Sequence, residues 1–292
     1  VAVRVGELTR DRRSYDEAIL RFDEATRRAP AWPYSWFGLA VSKLALSRLD
    51  VLTRPSLHQP DGVSYYLGFT QAIGETFSRD SLFPPAMALL RTELAVQGER
   101  EQPEVLLRAL ARAARQPTAE PTEFLVLARA ARARLRNDSA LVLLHAFRER
   151  GGDPGVAALE RAHTLALLDS LTVAAETWQR GLEHPSPAAR AAYRHDIGWI
   201  AEAGELAAFD RVPDDSLGEW TSEFWRVRDA RELRLPGERL LEHLRRWAFV
   251  HRHFRVVHPE RRTQFAHDFG TTVGPCTHGD YLLIDNVLGD ST

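Results

Sequence analysis

Residues 14–40 read SYDEAILRFDEATRRAPAWPYSWFGLA. Ala18, Phe22, Ala25 and Pro30 stand in this stretch with the spacing A-x3-F-x2-A-x4-P. Apolar residues recurring at steps of three and four describe one face of an amphipathic helix. The alanines let such a helix come close to a neighbour, the phenylalanine fills the gap between the two, and the proline cannot continue the helix. Beyond the proline, Trp36, Leu39 and Ala40 open a second stripe, large, large and then small. The stretch predicts two helices packed as a pair.

The 4-then-3 spacing returns twice. Leu106, Leu110 and Ala113 carry it with Pro117 beyond, and Ala174, Trp178 and Gly181 carry it with Pro185 beyond. Their partner helices are expected at roughly 122–136 and 155–169. In RDSLFPPAMALL, Asp80, Phe83 and Pro84 mark a helix–helix junction. Strand signals are nearly absent before residue 270, so the fold class is all-α. Residues 50–64, DVLTRPSLHQPDGVS, hold two prolines and a glycine and predict a loop between units. A loop of that length either lies over a groove or is a tolerated surface insertion.

On these residues, positions 1–46 resemble the tetratricopeptide repeat. Ala18, Phe22, Ala25 and Pro30 match its second helix, Tyr15 and Asp16 its inter-helix turn, and Gly6 the small position of its first helix. Trp36, Leu39 and Ala40 match the opening of the next repeat. The resemblance implies a right-handed α-solenoid of helical hairpins, here to about residue 212, whose concave face holds a protein or peptide partner. In that register Tyr34, Phe37, Val41 and Leu44 line the face. Their apolar character suits a helix or extended segment in a groove. The same side chains would be core if the next repeat or the C-terminal part of the chain covers them. Members that clamp a C-terminal carboxylate use lysine and asparagine there. Lys43 is the only lysine in this chain, which argues against that mode.

Residues 213–292 read differently. Ser216 and Glu219 have the spacing of a capping box, so a helix is expected to start there. Leu217, Trp220, Phe224 and Val227 form one stripe, with Trp225 off it. Asp229 is expected to reach back to Arg226. After Pro236 and Gly237, Leu240, Leu244, Trp247, His251 and Phe254 form a second stripe widened by Leu241 and Ala248, with Glu242 supporting Arg246. Trp220, Phe224, Trp225, Arg228, Asp229, Arg246 and Phe254 together resemble part of a GWxTD domain, a family of bacterial envelope-associated or secreted proteins. The stripes and the helix start describe Trp220, Phe224, Trp225, Arg228, Asp229 and Trp247 as docking residues rather than a reactive set. Trp225 is expected against the second helix, with Arg228 and Asp229 fixing the corner. The naming signature reads Gly-Glu-Trp-Thr-Ser, and the family's Asp-Arg-Gly turn is missing, so the domain is either truncated or diverged. The stretch 258–292 reads as a mostly irregular tail.

Composition narrows function. At 292 residues, 44% hydrophobic and with net charge −2, the chain can bury a large core and as a whole is no polyanion binder. No window approaches the ~18 apolar residues of a membrane span. The chain starts at Val1 without a methionine, so it is read as a fragment or processed form, which leaves its compartment open. Cys276 is the single cysteine, which excludes an internal disulfide and a cysteine zinc set. No Gly-Lys pair exists for a phosphate loop.

Residues 226–262 hold eleven arginines against five acids. Arg245, Arg246, Arg252 and Arg255 form a basic patch that could meet anionic lipid, a polymer or an acidic partner, dock on the acidic remainder of the chain, or lie solvated. No nucleic-acid motif accompanies it, so no specific nucleic-acid partner is expected. His251 and His253 lie about 200° apart on a helix, and His243 and His251 roughly 12 Å apart, so none of these pairs chelates one metal. His258 stands beyond them. Cys276, His278 and Asp280 have the residue types of a thiol nucleophile site, but at a spacing that rarely brings them together. The expectation is therefore a non-catalytic protein-interaction scaffold without metal or cofactor, with an enzyme or metal site in the tail as the competing reading.

Overall fold

A computed structural model of the chain describes residues 11–53, 60–96, 103–183 and 185–253. Among these residues the fold is all-α, with thirteen α-helices, one 3-10 turn and no strand. The helices are α1 (Arg12–Arg28), α2 (Pro33–Thr53), α3 (Pro60–Arg79), α4 (Pro84–Val96), α5 (Glu104–Ala113), α6 (Pro121–Ala133), α7 (Asn137–Glu149), α8 (Pro154–Leu167), α9 (Leu171–Arg180), α10 (Pro187–Ile197), α11 (Ala203–Phe209), α12 (Leu217–Arg231) and α13 (Glu238–His253). Six of them begin with proline, whose fixed φ suits the first helical position and whose missing N–H costs nothing there.

The described chain divides into two compact units, residues 11–96 with 103–118 and residues 119–253. In the first, α1 packs on α2, α2 on α3, and α5 on α3 and α4. Its core is built from Ala18, Leu39, Ala40, Leu44, Phe69, Ile73, Leu90 and Leu106. Gly38 sits where a Cβ would fall 2.1 Å from the Phe22 ring, so the lack of a side chain on α2 lets that ring seat. Arg48 on α2 pairs with the buried Glu93 on α4.

In the second unit α8 is the centre. It packs against α7, α9, α10 and α13. It is buried nearly all round, from Val156 and Leu159 to Leu165 and Leu167, with Arg161 exposed. One core runs from Leu159 through Trp178, Tyr193, Phe209, Phe224 and Trp225 to Leu240, Leu244 and Val250. Residues on both sides of position 212 share it. Leu135, Asp169 and Leu233 adopt positive φ directly after α6, α8 and α12. In each case the next residue's N–H bonds back to the third-last helical carbonyl: Arg136 to Ala131, Ser170 to Leu165, Arg234 to Asp229.

Several expectations are corrected. Helix occupies 50–53 and 60–64, where a loop was expected, because Pro60 starts a helix rather than breaking one; residues 54–59 lie outside the described residues. Tyr15 and Asp16 lie inside α1, which Asp11 caps by accepting from the Arg13 N–H, and not in an inter-helix turn. Ser216 makes no side-chain cap. A 3-10 turn over Asp214–Ser216 leads into α12, and with ψ near 0° Ser216 cannot present its hydroxyl to the first turn. The described capping box is instead Glu202 with Glu205, at the start of α11.

Gly155, in the first turn of α8, has no room for a side chain. A Cβ there would lie 2.8 Å from the Gly181 carbonyl oxygen and 2.5 Å from the Ala189 Cβ. Gly155→Ala is therefore expected to lower stability by about 1–2 kcal/mol despite alanine's better helix propensity. Urea unfolding measures this, and an unchanged midpoint would mean that α8 separates from α9 and α10 at little cost.

Candidate functional site

Two features concentrate chemistry, one in each unit. In the first unit the α1–α2 turn carries aromatics. Ser35 Oγ donates to the Trp32 carbonyl at 2.8 Å, and Trp36 Nε1 donates to the Pro30 carbonyl at 2.9 Å. Arg79 Nε donates to that same carbonyl at 2.6 Å, and its guanidinium lies 4.5 Å above the Trp36 ring. This pinned turn holds Trp32 and Tyr34 outward, 55% and 51% exposed. Tyr34 meets buried Phe83 edge-on at 4.7 Å, and Phe37 meets it at 5.6 Å. Of the four residues expected along a groove, Tyr34 is exposed, Phe37 and Val41 are half-buried, and Leu44 is core. The helical register explains the gradient. Tyr34 stands in the first turn of α2, whereas Leu44 lies ten residues on, amid the packing of α2 with α1 and α3.

In the second unit a polar cluster is built into the core. Asp196, near the end of α10, accepts from three helices: His163 Nε2 of α8 at 2.9 Å, Trp178 Nε1 of α9 at 2.9 Å and His243 Nε2 of α13 at 3.2 Å. A carboxylate only accepts, so each imidazole nitrogen facing it carries the proton. Burial pushes the Asp196 carboxyl up, but the charges and hydrogen bonds of His243 and His163 hold it well below the usual carboxylate range. Burial lowers the pKa of His163 more than Asp196 raises it.

One turn earlier on α8, Glu160 is held between two arginines of α6. Arg129 Nε donates to it at 2.6 Å, and Arg132 donates to its other oxygen at 2.5 Å and to its carbonyl at 2.9 Å. Burial opposes ionisation of Glu160, yet Arg129 and Arg132 bring its pKa from 4.5 to about 2. Trp247 of α13 lies between His163 and His251, at ring distances of 3.9 and 3.6 Å.

The remaining candidate residues take structural places. Trp225, off the expected stripe, is buried against Trp178 and His243. The buried face of α12 is Leu217, Thr221, Phe224, Trp225 and Arg228, with Trp220 and Val227 on its flanks. Arg228 forks onto Glu205 at 3.0 and 2.7 Å and lies over the Phe224 ring. Asp229 does not pair with Arg226, which bonds Glu223. Asp229 accepts the Gly237 and Arg239 N–H groups, both at 2.7 Å, and so caps α13, a stronger demand than an exposed ion pair. In the basic patch, Arg245 and Arg246 both pair with Glu242, and Arg252 donates to the Leu167 carbonyl at 2.7 Å and pairs with Asp169. Exposed His253 lies tilted against the Phe249 ring. Gly6, Phe254, Arg255, His258, Cys276, His278, Asp280 and the tail lie outside the described residues.

Chemically, a carboxylate flanked by two imidazoles is half of an acid–base site. The other half, an open face for substrate, is not found at this one: His163, Asp196 and His243 are all buried. Among the described residues no group of three His, Cys, Asp or Glu is placed to hold a metal ion, and no helix is long and apolar enough to cross a membrane. The cluster's evident work is to tie α8, α9, α10 and α13 together. Sequence reasoning missed Asp196, His163 and Glu160. Their one sequence signal is a polar residue set among apolar ones at helical spacing, which also describes a surface position. No family model matches this sequence, and no similar curated protein or solved structure is found.

Asp196→Asn turns an acceptor into a donor and leaves at least one of three buried N–H groups unpaired. The expected loss is about 1–3 kcal/mol in chemical denaturation. Adding Trp178→Phe to that variant should cost less than Trp178→Phe does alone, since the two groups are coupled. A second expectation concerns pH. Glu160 titrates near 4.5 when unfolded and at about 2 when folded, so its contribution is complete above 4.5 and is lost as pH falls toward 2. His251 is lowered from 6.5 to about 3, chiefly by burial, so protonation of the unfolded chain withdraws stability as pH falls below 6.5. Melting temperature should therefore drop from pH 7 to pH 4. His251→Phe should flatten the upper part of that slope, and an unaltered profile would contradict the assignment.

Proposed function

We propose that the chain is a non-catalytic interaction scaffold, a tetratricopeptide-like right-handed solenoid to about residue 212 followed by a GWxTD-like helical module. Packing of α1 with α2 and of α8 with α9, two of the pairs that the repeat spacing predicts, supports the repeat reading. So do Ala18, Ala40, Leu106, Leu110, Ala174 and Trp178, all buried at the repeat positions. The GWxTD-like reading is supported by the structural use of its Phe-Trp-x-x-Arg-Asp run: Phe224 and Trp225 in the core, Arg228 on Glu205, Asp229 as the cap of α13.

The observation that carries the function is the pair of outward aromatics, Trp32 and Tyr34, standing on a turn fixed by Ser35, Trp36 and Arg79. Large exposed aromatics that lose little side-chain entropy on binding are typical anchors of protein interfaces. Their partner is an apolar segment of another protein.

A photo-reactive phenylalanine analogue placed at Tyr34 tests this in an extract of the producing cells. Discrete protein adducts are expected from position 34 and none from position 20, an exposed leucine on α1. Equal labelling from both positions, or none from position 34, would overturn the reading.

A further inference from the structure

The second unit carries a cleft of about 610 Å³ between α7, α8 and α9. Each of the three helices contributes one exposed arginine to it: Arg148 from α7, Arg161 from α8 and Arg180 from α9. Among the described residues none of these three has a carboxylate partner. Other arginines of the unit do have one, for example Arg190 with Asp214, Arg194 with Asp210 and Arg245 with Glu242. His145 adds a further donor, and Leu144 and Val173 give the cleft apolar wall. Three guanidiniums lining one cleft outnumber its one carboxylate, Glu183, and Arg180 Nε donates to the Glu176 carbonyl at 3.2 Å, so the cleft keeps a net positive charge that an anion would relieve.

A second hollow of about 450 Å³ adjoins the first and shares Arg180 and Glu183 with it. It also carries Glu176 and Glu219. The surface therefore changes sign across α9, cationic toward α7 and anionic toward α12. That gradient selects among anions. A uniformly negative surface or polymer, such as an anionic bilayer or polyphosphate, gains from the arginines but meets Glu176, Glu183 and Glu219 alongside. A polypeptide can carry both signs in the right order. Helices pack ~8–10 Å apart, so the hollows span roughly 20 Å, the length of about six extended residues at ~3.3 Å each.

We propose that this cleft binds an extended segment of a partner protein in which acidic residues interleaved with apolar ones adjoin a cationic residue. The carboxylates bond Arg148, Arg161 and Arg180, the apolar side chains rest on Leu144 and Val173, and the cation faces Glu176 and Glu219. The proposal builds on the scaffold reading but uses a different unit from Tyr34, so the two can fail separately.

The test pans phage-displayed random 12-residue peptides against the intact chain. Enrichment of peptides with an acidic run beside a basic residue is expected. By fluorescence anisotropy, the triple variant Arg148→Glu, Arg161→Glu, Arg180→Glu should bind the leading peptide at least tenfold more weakly, and 0.5 M salt should weaken wild-type binding several-fold. Melting curves check that the triple variant is folded, and Arg161→Gln alone supplies a milder step that should weaken binding about threefold. The double variant Glu176→Gln, Glu219→Gln should lose the preference for the basic residue and bind polyphosphate better than wild type. Enrichment without an acidic run, equal binding by the arginine variants, or tighter wild-type binding to polyphosphate or to phosphatidylglycerol vesicles than to the peptide would each overturn the proposal. Adducts from position 34 that persist while the cleft fails these tests would retire the cleft and leave the scaffold.

Discussion

The second unit depends on one buried carboxylate. Asp196 sits on α10 and receives a hydrogen bond from each of α8, α9 and α13, so a single side chain sets the mutual positions of four helices. Burying a carboxylate costs several kcal/mol, and that cost is met only when every donor is in place. Shifting α13 by one residue along its axis would turn His243 away and leave a charge in the core. Apolar packing alone gives no such penalty, because Leu240 and Leu244 could fill the same space at neighbouring registers. The polar cluster thus makes one arrangement of these helices far better than its neighbours, even where its net contribution to stability is small.

The neighbouring Glu160 extends the same logic. Glu160, His163 and Thr164 stand on one face of α8, three and four residues apart, so a largely apolar helix carries a buried polar stripe. Arg129 and Arg132 of α6 meet that stripe at one end and Asp196 at the other. Trp247 bridges the two parts by stacking on His163 under the Arg132 guanidinium. Both acids need their partners ionised or donating, so acid is the condition under which this arrangement loosens first.

Local periodicity made much of the helical framework legible, and tertiary partners explain most of what it left obscure. The helices expected at 122–136 and 155–169 correspond to α6 and α8 because apolar spacing and proline are properties of the segment itself. Prolines were harder to read, since Pro60, counted toward a loop, starts a helix. Leu135 and Leu233 close their helices with positive φ, a role that sequence assigns to glycine and that tertiary structure imposed on leucine. The capping box spelled by Ser216 and Glu219 lost to a preceding 3-10 turn. Trp225 looked like an outlier because a stripe of steps three, four and three describes one contact surface, whereas α12 lies against two sets of neighbours, Trp178 on one and His243 on the other. The Asp196 cluster was illegible for a different reason. Its donors lie 18 to 47 residues from Asp196, each an ordinary residue until the fold assembles them.

The arginine content gains meaning from the same partition. A chain with one lysine among 38 basic residues uses guanidinium wherever it needs positive charge. Buried, the fork satisfies carboxylates and carbonyls at once, as Arg132 does with Glu160 and Arg228 with Glu205 and the Ile200 carbonyl. At the C-terminal helix it is neutralised locally, Glu242 serving both Arg245 and Arg246, so the charge excess visible in sequence over 226–262 is largely consumed within the described part of the structure. Charge that remains available must be sought where sequence shows no cluster at all. Arg148, Arg161 and Arg180 are 13 and 19 residues apart and come together only because α7, α8 and α9 pack side by side. A linear excess of charge and a spatial one are thus different quantities. In this chain the first is spent on holding helices together, and the second is what an outside partner would meet.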